Sequence, residues 1–219
     1  MKLTKYTHSC VRLEKDGAVL VLDPGNFSEV EQALDGADHV LITHIHPDHF
    51  DEGRVLAFLK ENPQTTLHAP AAVVQAVLKE LPQAQALAVE ADGQLTLSGF
   101  NIKTFGGNHA VIHPLLPTID NVGYLIDDNL FHPGDSFVVP DGIEVKTLLV
   151  PIHAPWNKIQ EVIDFIIAVR AQKAYQIHDS LLAETGRNMI VGHATNFGKK
   201  YGTEFEYLAP GTTVDVENN

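Results

Sequence analysis

Three histidines and an aspartate fall within six residues in Thr43-His44-Ile45-His46-Pro47-Asp48-His49. Imidazole is the commonest metal ligand in proteins, and zinc sites are built from such mixtures of histidine and carboxylate. The segment follows a short apolar run, His39 to Thr43, that reads as a buried strand. On an extended segment, side chains two apart point the same way, so His44 and His46 can reach one cation together. Pro47 restricts the turn that follows. Asp48 and His49 then lie at the entrance to the next helix and can face a second cation. A solvated polar loop accounts for one histidine, not for this set.

His44-x-His46-x-Asp48-His49 resembles the signature of the metallo-β-lactamase superfamily. Four more elements of that family stand in the family's order along the chain. Asp23 in Val21-Leu22-Asp23-Pro24-Gly25 resembles the early aspartate that orients ligands. His109 in Gly106-Gly107-Asn108-His109-Ala110 resembles the third histidine, and its Gly-Gly loop favours it over His113. Asp135 in His132-Pro133-Gly134-Asp135-Ser136 resembles the bridging aspartate, and His178 in Gln176-Ile177-His178-Asp179 the last ligand. The resemblance implies two divalent metal ions, zinc first, with manganese, iron, cobalt or nickel accepted by the same donors. It assigns His44, His46 and His109 to one ion and Asp48, His49 and His178 to the other. Asp135 bridges them, a metal-bridging hydroxide is the nucleophile, and Asp48 and Asp135 carry the catalytic carboxylates. Asp38, six residues before His44, resembles an acid that orients a ligand, and reads equally as a cap or loop charge. His8, His113, His132 and His153 lie near these segments and receive no role. His39, His68 and His193 read as structural.

The elements that must position these residues are mostly short strands. Leu3 to His8, Val11 to Glu14 and Ala18 to Leu22 read as strands, with Lys15-Asp16-Gly17 as a hairpin turn. Ser28 reads as the N-cap of a helix to Leu34, and helices are expected over Glu52 to Glu61, Pro70 to Glu80 and Lys158 to Arg170. Further strands are expected at 65–68, 86–89, 94–97, 102–105, 122–126, 130–131, 148–152 and 174–177. The tail from Thr195 has no clear pattern. The two halves share a coarse strand-and-helix order without a linker, which points to two sheets packed face to face with helices outside. The resemblance implies the same architecture: an α/β, four-layer αββα sandwich, read as a single domain over 1–219.

Composition removes several function classes. The net charge of −13, with no basic cluster beyond Lys199-Lys200, speaks against nucleic acid as a partner. Cys10 is the sole cysteine, which suits a reducing cytoplasm. No stretch has the length of a membrane span, no amphipathic membrane helix stands out, and no export signal is visible at the N-terminus. There is no Gly-x-Ser-x-Gly elbow and no phosphate-cradling Gly-x-x-x-x-Gly-Lys loop. Two divalent cations set against Asp48, Asp135 and a hydroxide leave a residual positive charge, favouring a small substrate with an anionic or polarised oxygen. The expected activity is therefore metal-dependent hydrolysis of a lactone- or ester-type bond in a small anionic substrate. The runs around His109 and Asp135 look most like the bacterial Zn-dependent hydrolases related to sugar-phosphate lactonases and phospholipase-D-type phosphodiesterases. A nucleotide or lipid phosphodiesterase and a non-catalytic metal sensor are the alternatives, and a homo-oligomer fits either.

Overall fold

Alternation of leucine and valine with polar residues builds the first half of the chain into a sheet. A computed structural model describes residues 1–216, so the last three residues of the expected 1–219 domain lie outside the described residues. In chain order come β1 (Lys2–Lys5), β2 (Val11–Lys15), β3 (Ala18–Leu22), α1 (Val30–Leu34), β4 (His39–Leu41), α2 (Glu52–Glu61), β5 (Thr66–Ala69), α3 (Ala71–Glu80) and β6 (Gln85–Ala88). Asp16 and Gly17 both have positive φ, the turn chemistry that a tight β2–β3 hairpin requires. From β3 onward the strands run parallel to β6, each return made through a loop or helix. Helices on one face and a second sheet on the other bury these strands on both sides. That is why Val21-Leu22 and Val40-Leu41 are apolar without alternation.

The second half repeats the plan. It contains β7 (Gln94–Leu97), β8 (Phe100–Asn108), β9 (Asp120–Ile126), β10 (Leu130–His132), β11 (Thr147–Pro151), α4 (Ile159–Val169), β12 (Lys173–Ile177), α5 (Glu184–Lys200), β13 (Glu204–Glu206) and β14 (Thr212–Asp215). The first sheet has the order β14-β1-β2-β3-β4-β5-β6 and the second β13-β12-β11-β10-β9-β8-β7, seven strands each. The chain thus ends by returning to the first sheet, where β14 pairs antiparallel with β1.

Three apolar clusters define the layers. Leu13, Leu20, Leu22 and Leu41 meet Phe100, Tyr124, Leu149 and Ile177 between the sheets. Val21 and Val40 pack with Val30, Val55 and Val73 under α1, α2 and α3. Leu148 and Val150 pack with Val162, Ile166 and Ala194 under α4 and α5. This is the expected αββα sandwich. Burial of these side chains, worth roughly 25 cal/mol per Å² of apolar surface, holds the layers together. Among the described residues, no helix is long and apolar enough to cross a membrane.

Three local expectations need correction. Ser28 does not cap α1: Glu29 is the N-cap residue, and the Ser28 hydroxyl donates to the Gly25 carbonyl instead. Asp38 orients no ligand; it is exposed and accepts the Val19 backbone N–H at the β3–β4 edge. The tail from Thr195 holds the end of α5, a 17-residue helix that begins at Glu184, and then two edge strands.

Candidate metal centre

Strand ends from both sheets converge on one cleft. Three non-glycine residues there have left-handed backbones: His8 (φ 64°) after β1, Asp23 (φ 48°) after β3 and His178 (φ 58°) after β12. Histidine and aspartate tolerate this region better than most residues, and such strain concentrates at functional sites. Each reversal turns a side chain out of the strand alternation.

The loop after β4 delivers His44, His46, Asp48 and His49. Its shape is set by backbone bonds, with the His49 and Phe50 N–H groups both donating to the His46 carbonyl. Gly25 lies directly behind it, and a Cβ there would overlap the Asp48 carbonyl. The second sheet supplies single residues: His109 follows β8, Asp135 follows β10 and His178 follows β12. Gly134 (φ 63°) places Asp135 by passing against Asn121 and Thr43, where no Cβ would fit. The Asn121 side-chain oxygen accepts the Asp135 N–H at 2.9 Å.

The far nitrogens of four of the histidines are fixed. Asp23, fully buried, accepts the Thr43 N–H at 2.8 Å, the Thr43 hydroxyl at 2.7 Å and His49 Nδ1–H at 2.7 Å. With its proton given to Asp23, the Thr43 hydroxyl is left to accept from His44 Nδ1 at 3.0 Å. His109 Nδ1 donates to the Ala110 carbonyl and His178 Nδ1 to the His153 carbonyl at 2.6 Å. These partners leave the Nε2 lone pairs of His44, His49, His109 and His178 facing the cleft. Outer partners of this kind orient metal-binding imidazoles and raise their basicity.

The inward atoms form two groups, each with its ligand atoms within 4.8 Å of one another: His44, His46, His109 and Asp135 in one, and His8, Asp48, His49 and His178 in the other. Asp135 also touches the second group. Its Oδ1 lies 3.0 Å from His49 Nε2, and its Oδ2 3.1 Å from His178 Nε2 and 3.3 Å from His109 Nε2. All seven sequence-derived candidates are therefore brought together, with Asp135 between the groups.

The donor set fits a pair of divalent cations. His44 Nε2, His49 Nε2, His109 Nε2 and Asp135 Oδ1 are buried and make no hydrogen bond, a cost that folded proteins avoid unless something else satisfies such atoms. With Nδ1–H given to Asp23, a neutral His49 sets its Nε2 lone pair against Asp135 Oδ1 at 3.0 Å, a repulsion that a proton or a bound cation relieves. Burial pushes the His49 pKa down, but Asp135 and Asp23 more than reverse this and hold it well above its usual range. Burial, with His49 nearby, holds His44 well below its own. Asp135 stays well below the carboxylate range although burial opposes it, because His49 and His178 adjoin it. The cleft calls for positive charge between these rings and carboxylates.

His8 is the site residue without a sequence signal. It is fully buried, with Nε2 3.1 Å from Asp48 Oδ2 and Nδ1 2.8 Å from the Ser180 hydroxyl, and its carbonyl accepts the His178 N–H at 3.2 Å. Burial lowers its pKa to about 4, so the ring is neutral and donates one proton to Asp48. No second histidine stands at a metal-ligand spacing from it, so spacing could not find it. Trp156 ends the proline-rich loop after β11, and its Nε1–H donates to Asp135 Oδ2 at 2.9 Å. His113 is exposed and bonds only its own loop, through the Leu115 N–H. His132 is buried, donating to the Ser9 carbonyl and accepting the Gly134 N–H, which ties β10 to the β1–β2 turn.

Comparison with known proteins points to one family. A model of the β-lactamase superfamily domain matches residues 2–178. Protein Rv0786c of Mycobacterium tuberculosis is 37% identical, with the alignment covering 98% of this chain and 99% of the relative. A UPF0173 metal-dependent hydrolase of Enterococcus faecalis is 31% identical over 62% of this chain and 56% of its own. Among solved structures, Igni18, a metallo hydrolase of the hyperthermophilic archaeon Ignicoccus hospitalis, superposes with a TM-score of 0.74 at 19% identity, covering 97% of both chains. By its matched domain, its αββα layers and its ordered histidine and aspartate set, the chain belongs to the metallo-β-lactamase superfamily.

Proposed function

We propose that this chain is a metal-dependent hydrolase that cleaves a lactone- or ester-type bond in a small molecule. His44, His46 and His109 hold one divalent cation, Asp48, His49 and His178 hold a second, and Asp135 serves both. Zinc is the first choice for a histidine-rich set, though other divalent transition metals suit the same donors. The observation that carries the reading is the set of four buried, unpartnered donor atoms turned into one cleft. The metal-dependent hydrolase named among its relatives supports it.

Two divalent cations bound there would bring the pKa of a water toward neutrality and polarise the scissile carbonyl. The chain's own residues do the rest. Asp48 and Asp135 offset part of the cationic charge, leaving a modest positive excess where negative charge develops on the substrate. Trp156 Nε1–H holds Asp135 Oδ2, so that the carboxylate keeps one orientation between the two groups. Asp23, through Thr43 and His49, locks the loop that carries four of the donors.

The test is hydrolysis of a panel of lactones, aryl esters, thioesters and phosphodiesters by zinc- or manganese-loaded protein, with His46→Ala alongside. Turnover of lactones or esters that is absent in the variant supports the proposal. Turnover confined to phosphodiesters, or equal in both proteins, overturns it.

A further inference from the structure

The cleft above the donor residues has an unusual chemical bias. One cavity, of about 340 Å³, lies over Asp48, Asp135 and His178 and is walled by Phe27, Ile112, Trp156 and Leu181. A second, of about 240 Å³, adjoins it through His46, His109 and Ile112 and continues under Val111, Leu116 and Ile119. Neither lining contains a lysine or an arginine, although the chain has 15 such residues. The rim continues the apolar theme. Phe27 and Leu181 are about half exposed, and Leu115, at the tip of the 110–119 loop, is 86% exposed.

Enzymes that take phosphate or carboxylate groups provide cationic side chains to hold them, usually arginine forks or lysines. The lining of this cleft offers neither. Exposed aliphatic side chains beside a polar centre mark a ligand-binding surface. The volumes suit a small molecule, not a macromolecule.

We infer that the two cavities bind a neutral substrate with an apolar body, its acyl chain or ring lying against Ile112, Leu181 and Trp156 while its carbonyl meets the donor cluster. In place of the anionic substrate expected from the sequence, the lining supports a neutral one with a polarised carbonyl. This inference rests on the hydrolytic reading above and narrows its substrate class. Each methylene that the cleft buries should tighten transition-state binding roughly fourfold.

The experiment uses zinc-loaded full-length protein and p-nitrophenyl acetate, butyrate, hexanoate and phosphate. The expected result is a kcat/KM that rises at least about tenfold from acetate to hexanoate. Turnover of p-nitrophenyl phosphate should be far below every ester. The Ile112→Ser/Leu181→Ser double variant should keep its metal content and lose the chain-length gradient. A flat ester series with metal-dependent turnover overturns the inference and leaves hydrolysis standing. Preference for the phosphate also overturns it. If no ester turns over, the ester half of the hydrolytic reading fails while lactones still test the rest, and binding decides the inference separately. Trp156 is the only tryptophan, so its fluorescence reports occupancy during titration with acetamide and hexanamide. At least about tenfold tighter binding of hexanamide supports the apolar subsite, and equal binding overturns it.

Discussion

The two sheets furnish the candidate metal centre in different ways. The first gives four donor residues from one loop, His44 to His49, beside a single parallel strand end. The second gives three, His109, Asp135 and His178, each from a different strand end and far apart in sequence. The loop is held by its own turn and by Asp23 behind it. The scattered residues are held by separate contacts to Ala110, Asn121 and His153. Local geometry thus sets half of the centre, and packing of sheet against sheet sets the other half. Asp135 is where the two halves meet.

The sharpest way to break this comparison is to remove the meeting point. Asp135→Ala should depress metal-dependent hydrolysis beyond the ~10–100-fold that loss of an outer partner costs. It should lower occupancy of the Asp48–His49–His178 group more than that of the His44–His46–His109 group. Metal analysis and kinetics check this, and full occupancy at both groups would show that Asp135 does not join them. Next in size is the support behind the loop. Asp23→Asn keeps the shape but loses the carboxylate that accepts from Thr43 and His49, and metal affinity should fall by roughly 10–100-fold. A competitive chelator titration measures that loss.

Legibility followed the same division. The loop could be read from spacing alone, because alternation on an extended segment is a local rule. His109, Asp135 and His178 were legible only through a family pattern in the right order, since no short-range rule links a glycine loop, a Pro-Gly turn and a strand end. His8 had neither kind of signal. Its left-handed backbone takes it out of the strand alternation, and its partners Asp48 and Ser180 are distant in sequence. The layers were legible because strand and helix periods recur through both halves. The helix α5 was not, because Gly186, Gly192 and Gly198 weaken its propensity and its apolar face is narrow. Gly198 is there for packing: a Cβ would press on the Thr203 carbonyl at 2.9 Å. The strands β13 and β14 carry one apolar residue each, Phe205 and Val214, among polar neighbours, too few to read as strands.

Smaller effects sharpen the contrast. Gly25→Ala forces a methyl group into the Asp48 carbonyl and should cost about 1–3 kcal/mol of folding stability, as overpacking does. Chemical denaturation of the metal-free protein reads this directly, and an unchanged midpoint would mean that the loop yields freely. The smallest expected change is Ser180→Ala. It removes one hydrogen bond to His8, worth about 1 kcal/mol, and should weaken the Asp48–His49–His178 group by no more than about tenfold while sparing the other. An equal change at both groups would remove the reason to place His8 with the second.

The most direct measurement is metal stoichiometry. Zinc-reconstituted protein, freed of excess metal and analysed by inductively coupled plasma mass spectrometry, should hold two equivalents per chain, with close to one retained in Asp135→Ala. One equivalent or none in the wild-type protein, or two in the variant, would contradict a centre shared by both sheets through Asp135.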